Sequence, residues 1–294
     1  MSRSTLLKQR LNRFTRVLPD VEKGDMRALH RTRVASRRLR ELVPVLQLEG
    51  DIARKLSRRL RKVTAQLGTV RELDALLLLI DDLQASLPMH RDALRRVGAA
   101  VVKSRDRARK ALADRLPADE MWRLARKLGR VLEELRSEET GVWARAGALA
   151  GAVDTRVAHR AARLTEALRV SGAVYLPERL HAARIAVKKL RYALELSADR
   201  SPSTLRSLER MQAVLGRMHD FQGLIDRVRD VQASLTPPSL PVWRELDALI
   251  ISLDEACRRL HARYVRERES LRAMAARLST HSGGPVRHSE RQAG

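Results

Sequence analysis

The residues "HRTRVASRRLR" at 30–40 return as "HAARIAVKKLR" at 181–191, and this duplication constrains the fold of the chain more than any other feature. His30, Arg33, Ala35, Leu39 and Arg40 align with His181, Arg184, Ala186, Leu190 and Arg191 at a constant offset of 151 residues. Arg37 and Arg38 meet Lys188 and Lys189, where the residue changes and the charge does not. A second pair follows: "LGTVRELDALL" at 67–77 matches "LGRMHDFQGLI" at 215–225, pairing Leu67 with Leu215, Gly68 with Gly216, Arg71 with His219 and Glu72 with Asp220. Upstream in the same segments, Arg58 matches Arg206 and Lys62 matches Arg210. Here the offset is 148, so the three-residue difference falls in the turn between the two motifs. Ordered repetition of two motifs implies two copies of one packed unit in tandem.

Each unit reads as helical. Aromatic residues make up 3% of the chain, glycine and proline gather at a few points, and the segments between them carry apolar residues at three and four spacing. The pattern predicts helices over 2–18, 27–48, 52–86, 89–116, 118–137, 142–170, 177–198, 202–234 and 240–278, bounded by residues such as Pro19, Gly24, Gly50, Pro88, Pro117, Gly141, Gly172, Pro177 and Pro202. The predicted architecture is all-α, with about four long helices per unit packed as bundles. The first unit is expected at 1–117, a connecting helix at 118–141, the second unit at 142–278 and a disordered tail at 279–294.

The 294 residues suffice for two cores, and the single cysteine, Cys257, rules out an internal disulfide and reads as a buried small hydrophobe. The N-terminal segment lacks the apolar stretch of a signal peptide and no run approaches a membrane span, so the expectation is a cytoplasmic protein with no membrane partner. Charge carries the partner signal. There are 59 Lys and Arg against 35 Asp and Glu, a net +24, which implies a polyanion. Codon usage raises arginine everywhere, but it does not place basic residues at matching positions in two repeats.

On a helix, His30, Arg33, Arg37 and Arg40 span roughly 80° of the circumference, opposite an apolar arc of Ala35, Leu39, Leu42, Val43 and Leu46. His181, Arg184, Lys188 and Arg191 repeat the stripe against Ala186, Leu190, Ala193 and Leu194, with Arg38 and Lys189 flanking the two rows. Like charges three and four residues apart repel, and surface helices ordinarily interleave acids. Glu41 and Glu195 stand at the far ends and cannot neutralise a whole row. Arginine grips phosphate oxygens in pairs while lysine acts as a point charge, so a mixed row suits a ligand with closely spaced phosphates. His30 and His181 gain a donor on protonation and would strengthen such binding as pH falls; a structural role for them reads equally well. Arg58, Lys62, Arg206 and Arg210 offer a second basic row, and Arg71 is expected to pair with Asp74 on its own helix.

At these residues the sequence resembles the CHAD family, named for a helical domain with characteristic histidines. The family's histidine followed by R-x-A-x-[RK]-[RK]-L-R stands here at 30–40 and, with the same spacing, at 181–191, and its L-G-x-x-[RH]-[DE] element reads "LGTVRE" and "LGRMHD". The resemblance covers about residues 3–278. It implies two pseudo-symmetric four-helix bundles with long antiparallel helices, and binding of inorganic polyphosphate along basic surfaces, often at polyphosphate granules. The E-x-E-x-K motif of the triphosphate-tunnel domains that accompany many family members is absent. Glu72 stands where aspartate is commoner.

The resulting expectation is a non-catalytic polyphosphate-binding protein without cofactor or metal. Its ligand contacts would come from His30, Arg33, Arg37, Arg38, Arg40, Arg58, Lys62, His181, Arg184, Lys188, Lys189, Arg191, Arg206, Arg210 and His219. Duplex nucleic acid, with the same phosphate chemistry, is the weaker alternative partner. Eight aromatic residues with no basic-aromatic platform speak against stacking on single strands. A metal-dependent phosphohydrolase is the third reading, from the pair His219–Asp220, but the first repeat has Arg71–Glu72 there and arginine does not ligate metal. No P-loop, H-E-x-x-H or paired-cysteine motif competes with binding.

Overall fold

The computed structural model describes residues 2–139, 145–197 and 201–280, and among them it is all-α, without strands. The helices are α1 (Arg3–Thr15), α2 (Leu18–Glu22), α3 (Met26–Leu42), α4 (Gly50–Ser86), α5 (Arg91–Arg115), α6 (Ala118–Glu139), α7 (Arg145–Ser171), α8 (Pro177–Leu194), α9 (Pro202–Ala233) and α10 (Leu240–Thr280). None of the described helices is long and apolar enough to cross a membrane. The segment after Thr280, expected as a disordered tail, and the boundary at Gly141 lie outside the described residues.

Local chemistry sets most of the ends. Asp25 caps α3 by accepting from the Ala28 backbone N–H, and Ser2 does the same for α1 from Thr5 at 3.1 Å. Pro177 and Pro202 open α8 and α9, where a missing N–H costs nothing. Gly24 and Gly172 turn the chain at φ +77° and +58°, a region that other residues enter at a cost. Three expected helices end early by three residues or more; that over 177–198 stops at Leu194. The helix expected over 2–18 stops at Thr15 and restarts around Pro19 as α2. The one expected over 27–48 stops at Leu42, because Pro44 supplies no N–H to continue the helical ladder; Val43 keeps helical angles, and Val43–Val45 forms a single 3₁₀ turn instead.

Helices α7 to α10 pack around one another, each against two neighbours. In the first half α1 packs on α3, α3 on α4 and α4 on α5. Helix α6, expected as a connector, lies along α1 and α2. Arg3 donates to Glu138 at 2.9 Å, and the Trp122 indole N–H donates to Glu22 at 2.7 Å. The hydrophobic core does not divide along the repeat. One cluster joins Leu7, Leu39, Leu60 and Leu128 to Leu164, Leu190 and Leu208, and a second joins Leu79 and Leu94 to Leu224, Leu249 and Cys257. Each such leucine, fully withdrawn from water, contributes about 1.5–3 kcal/mol, and here it does so against side chains of both halves. Burial of Leu39 and Leu190 turns the opposite faces of α3 and α8 outward and toward one another, which positions the site.

Candidate functional site

Helices α3 and α8 meet, bringing His30, Arg33 and Arg37 together with Arg184 and Lys188. Their neighbours α4 and α9 add Arg71 and Glu72 from one repeat and His219 and Asp220 from the other. The two stripes thus merge into one cluster except at their last members, Arg40 and Arg191, which turn to carboxylates at the helix ends. Arg71 donates its Nε–H to Nδ1 of His30 at 2.6 Å. At the corresponding place in the second repeat, the rings of His181 and His219 lie 4.9 Å apart. Arg33 lays its guanidinium over Gly68, where an added Cβ would sit 3.4 Å from Nη2, and reaches Glu72 at 3.3 Å.

The cations of this cluster strain against one another. Burial first, and then the guanidiniums of Arg184, Arg37 and Arg33, pull the Lys188 ammonium down to about 7. Burial and Arg37 lower Arg33 to about 10, against which Glu72 gives partial relief. Burial, Arg184 and His181 hold His219 at about 4. Packing lowers His30 as well, helped by Arg71 and Arg33, and His181, helped by Arg184. Asp220 moves the other way, since its own burial outweighs the Arg184 and Lys188 charges that favour its ionised form. Two carboxylates among this many cations leave a surplus of positive charge in a half-buried setting, where Coulomb interactions are stronger than in water. An entering anion would relieve it.

Other basic residues have protein partners. Arg38 reaches across from α3 to Glu195, just after α8, at 2.8 Å, where Arg10 of α1 and Arg191 also converge at 3.6 and 3.5 Å. Arg191 donates to Gln212 at 3.0 Å and lies over the Tyr192 ring at 5.1 Å. Reciprocally, Glu41 at the end of α3 is 2% exposed and accepts from Arg156 and Arg160 of α7, each at 2.8 Å. Lys189 and Arg40 stand beside this carboxylate. Each repeat's basic helix therefore ends in a carboxylate clamped by arginines of the other repeat, and Arg38 and Lys189 belong to the clamps.

The second basic row is less coherent. Lys62 turns to Glu120 of α6 at 3.1 Å, Arg210 donates to Ser207 at 3.3 Å, and Arg58 and Arg206 are exposed. The expected Arg71–Asp74 pair does not form: Asp74 is buried against Arg109 at 3.8 Å, and Arg71 turns to His30. Sequence reasoning left Arg71 out of the site, although its alignment with His219 pointed to it. Arg156 and Arg160 carried no repeat signal. Among the described residues, no three His, Cys, Asp or Glu side chains are grouped to hold a metal ion.

The comparisons with known proteins agree with this architecture. The CHAD domain family model matches residues 5–229, and no curated protein matches the chain. The crystal structure of the CHAD domain from the plant Ricinus communis superposes with a TM-score of 0.61 at 23% identity, covering 95% of this chain and 92% of that one, a likeness of fold. With matching basic helices in contact across its two repeats and a family model spanning most of its length, the chain belongs to the CHAD domain family.

Proposed function

We propose that this protein binds inorganic polyphosphate without altering it, and that the chain of phosphates lies across the crossing of α3 and α8. The observation that carries the reading is the compression of Arg33, Arg37, Arg184 and Lys188 into one half-buried cluster, with Lys188 held down to about 7. A thin, flexible polyanion reaches such a cluster and restores full charge to its members. A rigid duplex presents its phosphates on a broad cylinder and meets mainly the exposed Arg58, Arg206 and Arg210, so duplex DNA is the weaker ligand. The surroundings of His219 also favour binding over metal chemistry, because the Arg184 guanidinium and the Lys188 ammonium beside it disfavour a divalent cation. Association with polyphosphate granules follows as a cellular consequence.

The test is a titration with long-chain polyphosphate, duplex DNA and orthophosphate at equal phosphate concentration and physiological salt. Polyphosphate is expected to bind tightest and to displace DNA. Preference for DNA would replace this reading with the nucleic-acid one.

A further inference from the structure

We infer that a second basic groove, open between α1, α2 and α3, continues the anion track beyond the crossing and takes the onward phosphates of a polyphosphate chain. The inference rests on the proposed ligand and adds a path and a direction to it. The groove has a volume of about 410 Å³, and its walls carry Arg13 of α1, Arg16 just after it, and Arg31 and Arg38 of α3, with Asp20 as the acidic residue of the lining. Arg38 is held at the inner end by Glu195 at 2.8 Å. Arg13, Arg16 and Arg31 are exposed and have no ion-pair partner among the described residues. Arg16 caps the C-terminus of α1 with helical angles, so it stands one turn beyond Arg13 on the same side. Val17 and Val34 also line the groove, and such low-dielectric walls concentrate the field of the surrounding charges.

His30 makes the groove continuous with the crossing. It lines the groove, and its Nδ1 accepts the 2.6 Å bond from Arg71 in the central cluster, so one side chain belongs to both. The arrangement is one-sided. In the second copy of the motif the residue matching Arg31 is Ala182, so the cation that builds the outer wall is missing there. A bound chain is therefore guided off the crossing toward α1 and not toward α7.

The experiment measures affinity against chain length, from tripolyphosphate to long chains, for the wild type and for the variant Arg13→Gln/Arg16→Gln/Arg31→Gln. In the wild type, affinity should rise with length until the chain spans both crossing and groove. In the variant the rise should stop at shorter chains, and for long chains the slope of log K against log salt should become shallower by about 2, at roughly 0.7 for each of three lost phosphate contacts. The charge-preserving variant Arg13→Lys/Arg16→Lys/Arg31→Lys should restore most of the length dependence. An identical length profile in wild type and glutamine variant overturns the groove, as does an equal fractional loss at every length including tripolyphosphate. Absence of any rise with length in the wild type would sink the polyphosphate reading itself.

Discussion

Arg71 donates its Nε–H to Nδ1 of His30 at 2.6 Å, a bond that only an imidazole with a free Nδ1 lone pair accepts. A cation thus takes the place of the expected phosphate-facing donor, and His30 is held neutral by the same cluster that would recruit the anion. Protonation of His30 at that nitrogen breaks the contact. In the second repeat His219 stands where Arg71 stands in the first, 4.9 Å from His181, and it too is kept neutral by its cationic neighbours.

The ligand-free protein is expected to lose stability on acidification. Unfolded histidines titrate near 6.5, whereas folding lowers His30 and His181 and takes His219 to about 4. Between roughly pH 7 and pH 4 the unfolded chain therefore binds more protons than the folded one, and stability falls as pH falls through that window. The rings retain some solvent, so a loss on the order of 1–2 kcal/mol is expected from the three together. Urea midpoints at pH 8 and pH 5, taken in a Lys188→Gln background so that the depressed lysine does not contribute, measure it. The loss should shrink in His219→Gln, and a midpoint independent of pH in both proteins would refute the account.

Binding of polyphosphate should take up protons. With Lys188 at about 7, its amine is largely neutral at pH 8 in the free protein, and a bound polyanion raises its pKa. Calorimetric titration at pH 8 in buffers of differing ionisation heat should show uptake approaching about one proton. Lys188→Gln should abolish most of it.

The rows and the clamps should separate by mutation. Arg37→Gln with Lys188→Gln removes charges from the crossing, so polyphosphate affinity should drop and its salt dependence flatten by about 1 to 1.5. Thermal stability should hold or rise, since like charges are being relieved. Arg38→Gln with Lys189→Gln strips counter-ions from Glu195 and Glu41 and should instead lower the melting temperature. Equal effects of the two pairs on both measurements would show that the crossing and the clamps do not act separately.

Glu41→Gln should be the more damaging single change. It leaves Arg156 and Arg160 facing one another across a neutral amide at a position 2% exposed, and removing one partner of such a buried network costs about 3–5 kcal/mol. Chemical denaturation measures the loss directly. A cost under about 1 kcal/mol would class the clamp with surface ion pairs.

Long-chain polyphosphate incubated with the protein and Mg²⁺, Mn²⁺ or Zn²⁺ should keep its length on a gel. Shortening that disappears in His219→Ala would assign the chain an enzymatic role.

The duplicated motif already contained the helices, their buried faces and the two basic stripes. Helical period alone decides which residues of one helix share a side, as it does for His30, Arg33 and Arg37, and burial of Leu39 and Leu190 follows from that same period. Pro44 was equally legible and should have ended the helix at Leu42. The partners across helices were not legible. Whether Arg37 or its neighbour Arg38 faces the anion depends on how α3 crosses α8, and that crossing is set by side chains interdigitating between segments about 150 residues apart. Packing of α4 on α3 carried Arg71 away from Asp74 to His30, and α7 brought Arg156 and Arg160, with no counterpart in either motif, onto Glu41. Period is a property of one chain segment, whereas charge pairing is a property of the distance between two, and only the packed tertiary structure decides that distance.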